Sequence, residues 1–197
     1  MKTIVISGTP GCGKTTVSKQ ISEKLKTELI SLNNLVIDKK FYENYDEERQ
    51  TYIADFPKLN AYMNKILRKA YRRKTTYMII EGHFADIVPN QYINLAIVLR
   101  CHPDILKDRL KKRNYPNTKI NENIQAEILG NCTSYLIEKQ LTCPLYEIDT
   151  SNKSIQEVSE IIIKMIENDK IYKKYQFGNI DWLGELSDKD RLMQFFD

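Results

Sequence analysis

Gly8-Thr9-Pro10-Gly11-Cys12-Gly13-Lys14-Thr15 is the first group of residues whose types and spacing could do chemistry, and it fits the pattern G-x-x-x-x-G-K-[ST]. Glycines at these positions let successive backbone N–H groups turn inward as an anion nest. The helix that follows aims the positive end of its dipole at bound phosphate. In such a loop Lys14 reaches the β- and γ-phosphates and the Thr15 hydroxyl ligates Mg²⁺. Gly11, Cys12, Gly13 and Thr16 complete the nucleotide-binding set. With glycine at about 7% of residues, the four fixed positions match by chance in roughly one chain in a hundred of this length. The pattern therefore implies a nucleoside triphosphate ligand.

A second group, Glu81-Gly82-His83, follows the apolar run Tyr77–Ile80, with Asp86 just beyond. A carboxylate at the tip of a buried strand can hold a nucleotide's metal ion, directly or through water. His83 then faces the same crevice. Arg109 and Arg113 are four residues apart and project from one helix face, where two guanidiniums can clamp phosphates. Asp149-Thr150-Ser151-Asn152-Lys153 follows another short apolar run and reads either as a nucleotide-contacting loop or as a helix cap.

The elements that must position these groups alternate between two periods. Lys2–Ser7, Glu28–Leu32, Tyr77–Ile80, Leu95–Leu99 and Leu145–Ile148 are short, β-branched and apolar, the signature of buried parallel strands. Helical spacing predicts helices over Lys14–Lys26, most of Asn34–Lys74 with a break at Asp55-Phe56-Pro57, Ile105–Lys112, Asn121–Lys139 and Ile155–Glu167. Strands alternating with helices give an α/β fold with a parallel sheet and a ligand crevice at the carboxyl ends of its strands. His102, ahead of Pro103, reads as structural, and beyond Lys170 the sequence shows no clear period.

At 197 residues, with 42% apolar residues and a net charge of +4, the chain can build one full core, which excludes wholesale disorder. No apolar run approaches a membrane span and no secretory leader is expected, so the compartment expected is cytoplasmic, or nuclear in a eukaryote. Four cysteines without CxxC spacing argue against a zinc site or a disulfide framework. Charge is uneven. Lys65–Lys74 holds six basic residues and no acid, and Asp181–Asp197 holds five acids against two bases.

Taken together, these motifs resemble the adenylate kinase isoenzyme 6 (CINAP-type) family of P-loop nucleoside monophosphate kinases. The residues carrying the resemblance are Gly8–Thr15, Tyr42-Glu43-Asn44-Tyr45-Asp46-Glu47, Glu81-Gly82-His83, and the stretch from Arg109 through Arg113-Asn114-Tyr115 to Glu127-Ile128. It runs from about Lys2 to Glu167. The resemblance implies a five-stranded parallel core over residues 1–170, a helical NMP-binding region at 33–74, a short lid at 114–119 and a C-terminal tail at 171–197. It implies ATP + AMP ⇌ 2 ADP with Mg²⁺, sometimes with other monophosphates, beside a weak ATPase in which His83 positions water. Lys14, Glu81, His83, Arg109 and Arg113 are then the catalytic set. Thr15 and Glu81 hold metal, Asn152 and Lys153 meet the nucleotide, and Asn34, Lys39 and Asp86 meet AMP. Ile37 stands where the family usually carries a base, with Lys39 and Lys40 beside it, and Asn114 stands for a usual glycine.

The implied partners are a small-subunit ribosomal protein and the pre-ribosome during rRNA processing, with neither a membrane nor sequence-specific DNA expected. Two alternatives stand beside the kinase reading. One is an ATPase-driven ribosome assembly factor with little AMP turnover; the other is a P-loop kinase for a different small acceptor.

Overall fold

A computed structural model of the chain describes residues 1–73, 75–168 and 170–196. The main sheet contains β1 (Lys2–Ser7), β2 (Glu28–Ser31), β5 (Tyr77–Glu81), β6 (Ile93–Arg100) and β7 (Leu145–Asp149), while β3 (Tyr42–Asp46) and β4 (Thr51–Ala54) form a separate hairpin. Strand order in the sheet is β2-β5-β1-β6-β7, and every neighbouring pair is parallel. The strands are apolar throughout because both faces are covered. Along β1, Ile4 and Ile6 point into one core while Val5 points into the other.

Among the described residues, eight helices supply the covering layers: α1 (Lys14–Leu25), α2 (Leu32–Asp38), α3 (Phe56–Arg72), α4 (Pro103–Lys111), α5 (Asn117–Ile128), α6 (Asn131–Glu138), α7 (Ile155–Glu167) and α8 (Trp182–Asp188). One core joins β1, β6 and β7 to α1, α4, α5, α7 and α8 through residues such as Ile21, Leu106, Ile124, Ile162 and Leu186. The other joins α2, α3 and α6 to the opposite face through Leu32, Met63, Leu67 and Leu136. A leucine lost from either core costs about 2–5 kcal/mol. The five expected strands and the α/β architecture are thus present.

Three sequence expectations change. The stretch expected to be mostly helical from Asn34 carries the β3–β4 hairpin between α2 and α3. Its tyrosines account for this. Tyr52 stacks on Tyr42 and Tyr45 with ring centroids 4.3 and 4.9 Å apart, and such cross-strand aromatic contacts outweigh a weak helical period. The break at Asp55 is the start of α3, where the Asp55 carboxylate accepts a hydrogen bond from the Lys58 backbone N–H at 3.0 Å. Lys74, the end of the expected region, lies outside the described residues. Second, the helix expected over Asn121–Lys139 is two helices, divided at Gly130, whose φ is +66°.

Third, the aperiodic tail folds back. Trp182, Leu186 and Phe195 are buried, and Arg191 forms a two-pronged ion pair with Asp104 at 2.9 and 3.0 Å. These anchors are spaced too irregularly to give a period, yet each finds a place on α4 or α5. His102, as expected, is structural: its ring accepts from the Asp104 backbone N–H and packs edge-on against Trp182.

Candidate active site

The loop after β1 is shaped by what surrounds it. Gly8 has φ +139°, and a Cβ there would lie 2.3 Å from the carbonyl oxygen of Leu99, so no other residue fits. Gly13 caps α1 with φ +96° and offers no side chain to the first-turn amides, which leaves them for an anion. The Lys14 side chain is buried and its Nζ donates to the Thr9 carbonyl at 3.1 Å, folding it over the loop.

Beneath the loop lies a buried ionic knot. Arg100, at the end of β6, donates through Nε to the Glu127 carboxylate (2.8 Å), through Nη2 to the Glu127 carbonyl (2.8 Å), and through Nη1 to Glu147. Glu127 also accepts from the Thr9 hydroxyl, the Cys101 N–H and the Trp182 indole, while Glu147 accepts from Thr133 and the Gly178 N–H. One carboxylate thus ties the phosphate loop to β6, α5 and the tail. Burial pushes the Cys12 thiol pKa well up, helped by its hydrogen bond with Cys101 and by the charge of Glu127, so the loop cysteine adds no anion to the cradle.

The parallel register places Glu81 opposite Ile6, at the mouth of the loop. Glu81 is buried, and its Oε1 accepts from the Thr15 hydroxyl at 3.3 Å. A hydroxyl and a carboxylate at this separation fit a cation that draws its other ligands from water and phosphate, as Mg²⁺ does. His83 lies two residues on, edge-on to Phe84 at 4.5 Å. Its ring reaches solvent through the crevice, but the surrounding protein strips hydration from it, and Lys14 and Lys119 add repulsion. Together these lower its pKa to about 4, which leaves a neutral imidazole at pH 7.

Two cavities open on either side of the loop. The larger, about 370 Å³, is bounded by Lys14, Thr15, Glu81 and His83 on one side and by Arg49, Lys119, Glu122 and Asn123 on the other. The smaller, about 250 Å³, is bounded by Cys12, Thr16, Arg109, Thr150, Lys153 and Val158. Gly11, Gly13, Thr16 and Arg113 line both. Arg113 forms no ion pair among the described residues, whereas Arg109 is engaged by the Thr150 hydroxyl (3.2 Å) and carbonyl (2.8 Å) and the Ser151 carbonyl (3.3 Å). The paired arginines therefore divide: Arg109 fixes the 150–151 loop, and Arg113 stands at the junction of the cavities. Lys153 donates to the Asp149 carbonyl at 2.9 Å, and exposed Asn152 borders neither cavity.

The structure does not bring Asn34, Lys39 or Asp86 to the cavity walls. Asn34 and Lys39 are exposed on α2 and at its C-terminus. The charged neighbours of Asp86 are Lys139 and Glu138, and desolvation raises its pKa. Ile37 is half exposed, and Asn114 adopts φ +55°, the left-handed turn its glycine counterpart would make.

In place of those residues the walls carry Asn33, Arg49 and Thr51, which the sequence reading did not single out. Arg49 lies in the tight turn of the β3–β4 hairpin, pairing with Asp46 (3.0 Å) and, across the crevice, with Glu122 (2.9 Å). Lys119 reaches the Gln50 carbonyl at 3.3 Å and closes the same bridge. The visible signal was the Tyr-x-x-Tyr-Asp-Glu segment, which reads as a hairpin once its tyrosines are weighed as strand formers.

A family described as AAA domain matches residues 4–130. "Putative adenylate kinase" of Methanocaldococcus jannaschii is 40% identical over 179 residues, spanning 91% of this chain and 92% of that protein. The protein of the same name from Pyrococcus abyssi is 33% identical, spanning 91% and 90%. Among solved structures, shikimate kinase from Acinetobacter baumannii in complex with shikimate superposes with a TM-score of 0.59 at 15% identity, covering 87% of this chain and 96% of that one, a likeness of fold. With the phosphate loop, the strand-tip carboxylate and the parallel sheet in place, the chain belongs to this AAA-domain family of P-loop nucleoside monophosphate kinases.

Proposed function

We propose that the chain is an adenylate kinase of the isoenzyme 6 type, passing the γ-phosphoryl group of ATP to AMP or a related monophosphate. The observation that supports this most is the pair of cavities meeting at the phosphate loop. The smaller suits the donor's nucleoside beside Arg109, Thr150 and Lys153, and the larger suits the donor's phosphates and a second phosphorylated ligand between Lys14 and Arg49. Phosphoryl transfer asks mainly for positioning and for neutralising charge on the moving group. Lys14 and the first-turn amides hold the donor's terminal phosphates, Arg113 bridges donor and acceptor, and Arg49 and Lys119 receive the acceptor's phosphate. Thr15 and Glu81 would hold Mg²⁺, which when bound neutralises phosphate charge. On this reading residues 33–74 are the acceptor-binding region and 114–119 a short lid.

A weak ATPase accompanies the kinase. Neutral His83 at the crevice mouth can accept a proton from water when no acceptor fills the larger cavity. The resemblance also carries a small-subunit ribosomal protein as partner and a cytoplasmic setting; co-purification of such a protein with the ATP-loaded chain checks that part.

The deciding experiment is ADP formation from ATP with and without each monophosphate. AMP is expected to stimulate turnover strongly, and Lys14→Ala to lower it by about 10²–10³-fold, as loss of one charge-stabilising donor does. Slow ADP formation indifferent to every monophosphate would leave an ATPase switch instead.

A further inference from the structure

Charge in this chain is segregated. Between Asp55 and Glu81 there are seven basic residues and no acid, so with a total of +4 the remainder of the chain is net negative. Six of the seven lie in the described residues. Lys58, nearest the start of α3, is neutralised by Asp55 at 2.6 Å. The other five are Lys65, Arg68, Lys69, Arg72 and Arg73, and all are exposed. Among the described residues none of the five forms an ion pair.

Helix geometry gathers them. Leu59, Met63, Leu67 and Ala70 are buried and pin one face of α3 to the sheet. At 100° per residue, positions 65, 68, 69, 72 and 73 fall on the opposite face, along about 12 Å of axis. Tyr71, 65% exposed, stands on the flank beside Arg68. A phenol ring left in water among cations is no contribution to the fold. It is what a nucleobase stacks on while neighbouring guanidiniums meet phosphates. An acidic protein surface would use the cations and leave Tyr71 idle.

We propose that the outer face of α3 is a docking surface for single-stranded or looped RNA, read through its phosphate backbone and one stacked base without sequence preference. Four or five cations meet successive phosphates, and Tyr71 takes an unstacked base. The surface lies on the opposite face of α3 from the core, and its cations line neither cavity at the phosphate loop.

The test is fluorescence anisotropy with a labelled, unstructured 20-nucleotide RNA, using the full chain. Wild type is expected to bind with a log–log salt slope of about −3, near −0.7 per phosphate contacted, losing about 50-fold in affinity between 50 and 200 mM salt. Arg68→Glu with Arg72→Glu is expected to abolish most of this binding while leaving the urea unfolding midpoint unchanged, which reports that the variant is folded. Tyr71→Ala is expected to weaken binding about fivefold or more with the salt slope preserved. Lys14→Ala is expected to bind RNA as wild type does.

Three results overturn the proposal. They are no salt-dependent binding by wild type, unchanged binding by the double variant, or loss of binding in Lys14→Ala, which would move the RNA to the nucleotide crevice. Equal competition by polyglutamate with no effect of Tyr71→Ala assigns the face to an acidic protein and also overturns it.

Discussion

The two walls of the crevice are held by opposite kinds of electrostatics. On the loop side, Arg100, Glu127 and Glu147 are almost wholly removed from solvent, with every side-chain oxygen and nitrogen partnered from β6, β7, α5, α6, α8, the phosphate loop or the tail. On the hairpin side, Arg49 and Glu122 are each about half exposed and pair across open space. A buried knot tolerates no vacancy because an orphaned charge cannot reach water. An exposed pair exchanges its partner for water or a ligand at little cost. On the proposed reading, the difference separates a preformed donor cradle from an acceptor wall that can change partners.

The comparison breaks first at Glu127. Glu127→Ala leaves the Arg100 guanidinium buried without its main counterion, frees the Thr9 hydroxyl and drops the Trp182 indole contact. The expected loss is about 3–5 kcal/mol of unfolding free energy, read from urea denaturation. A loss below about 1 kcal/mol would mean that the knot is solvated and the two walls are alike.

Arg49 tests the other wall. Its guanidinium pKa is raised by its hydrogen bonds to Asp46 and Glu122, so it stays charged at all working pH values, yet half of it is open to solvent. On the proposed reading it leaves Glu122 for the acceptor's phosphate. Arg49→Ala is therefore expected to raise KM for AMP about 10- to 100-fold, the worth of a charge-assisted hydrogen bond, with the urea midpoint and KM for ATP nearly unmoved. A parallel rise in both KM values would place Arg49 on the donor instead.

How much of this was legible beforehand follows the same divide. Gly8, Gly13, Lys14, Thr15 and Glu81 were visible because backbone geometry and phosphate chemistry restrict residue type at fixed spacing, and the parallel register brings them together without further information. Arg49 was hidden. Its place depends on a hairpin whose pairing is set by Tyr42, Tyr45 and Tyr52 touching across strands, a tertiary fact that a one-dimensional period does not carry. The tail was hidden for a related reason. Trp182 and Phe195 are single anchors on α5 separated by an aperiodic stretch, and the Glu127 carboxylate beneath the indole and the His102 ring beside it fix the Trp182 position.

His83 stands between the two regimes, joined to the rigid wall by its backbone yet open to the crevice, and it yields the smallest effect. Its pKa is lowered to about 4, first by desolvation and then by Lys14 and Lys119, against an ordinary value near 6.5. Above pH 6.5 the imidazole is neutral folded or unfolded and contributes no pH dependence. Between pH 6.5 and 4 the unfolded chain binds the proton and the folded chain does not, so stability declines as pH falls through that window. Below pH 4 both states are protonated and the decline stops.

His83→Gln is expected to flatten this part of the stability–pH curve by a modest amount, since solvent at the crevice mouth screens the repulsion. Phosphate bound on Lys14 should weaken that repulsion and move the imidazole's titration upward, followed by the ring proton shifts with and without ATP. A titration that stays near 6.5 in the free protein would place His83 outside the field of Lys14, and with it outside reach of any water attacking at the loop.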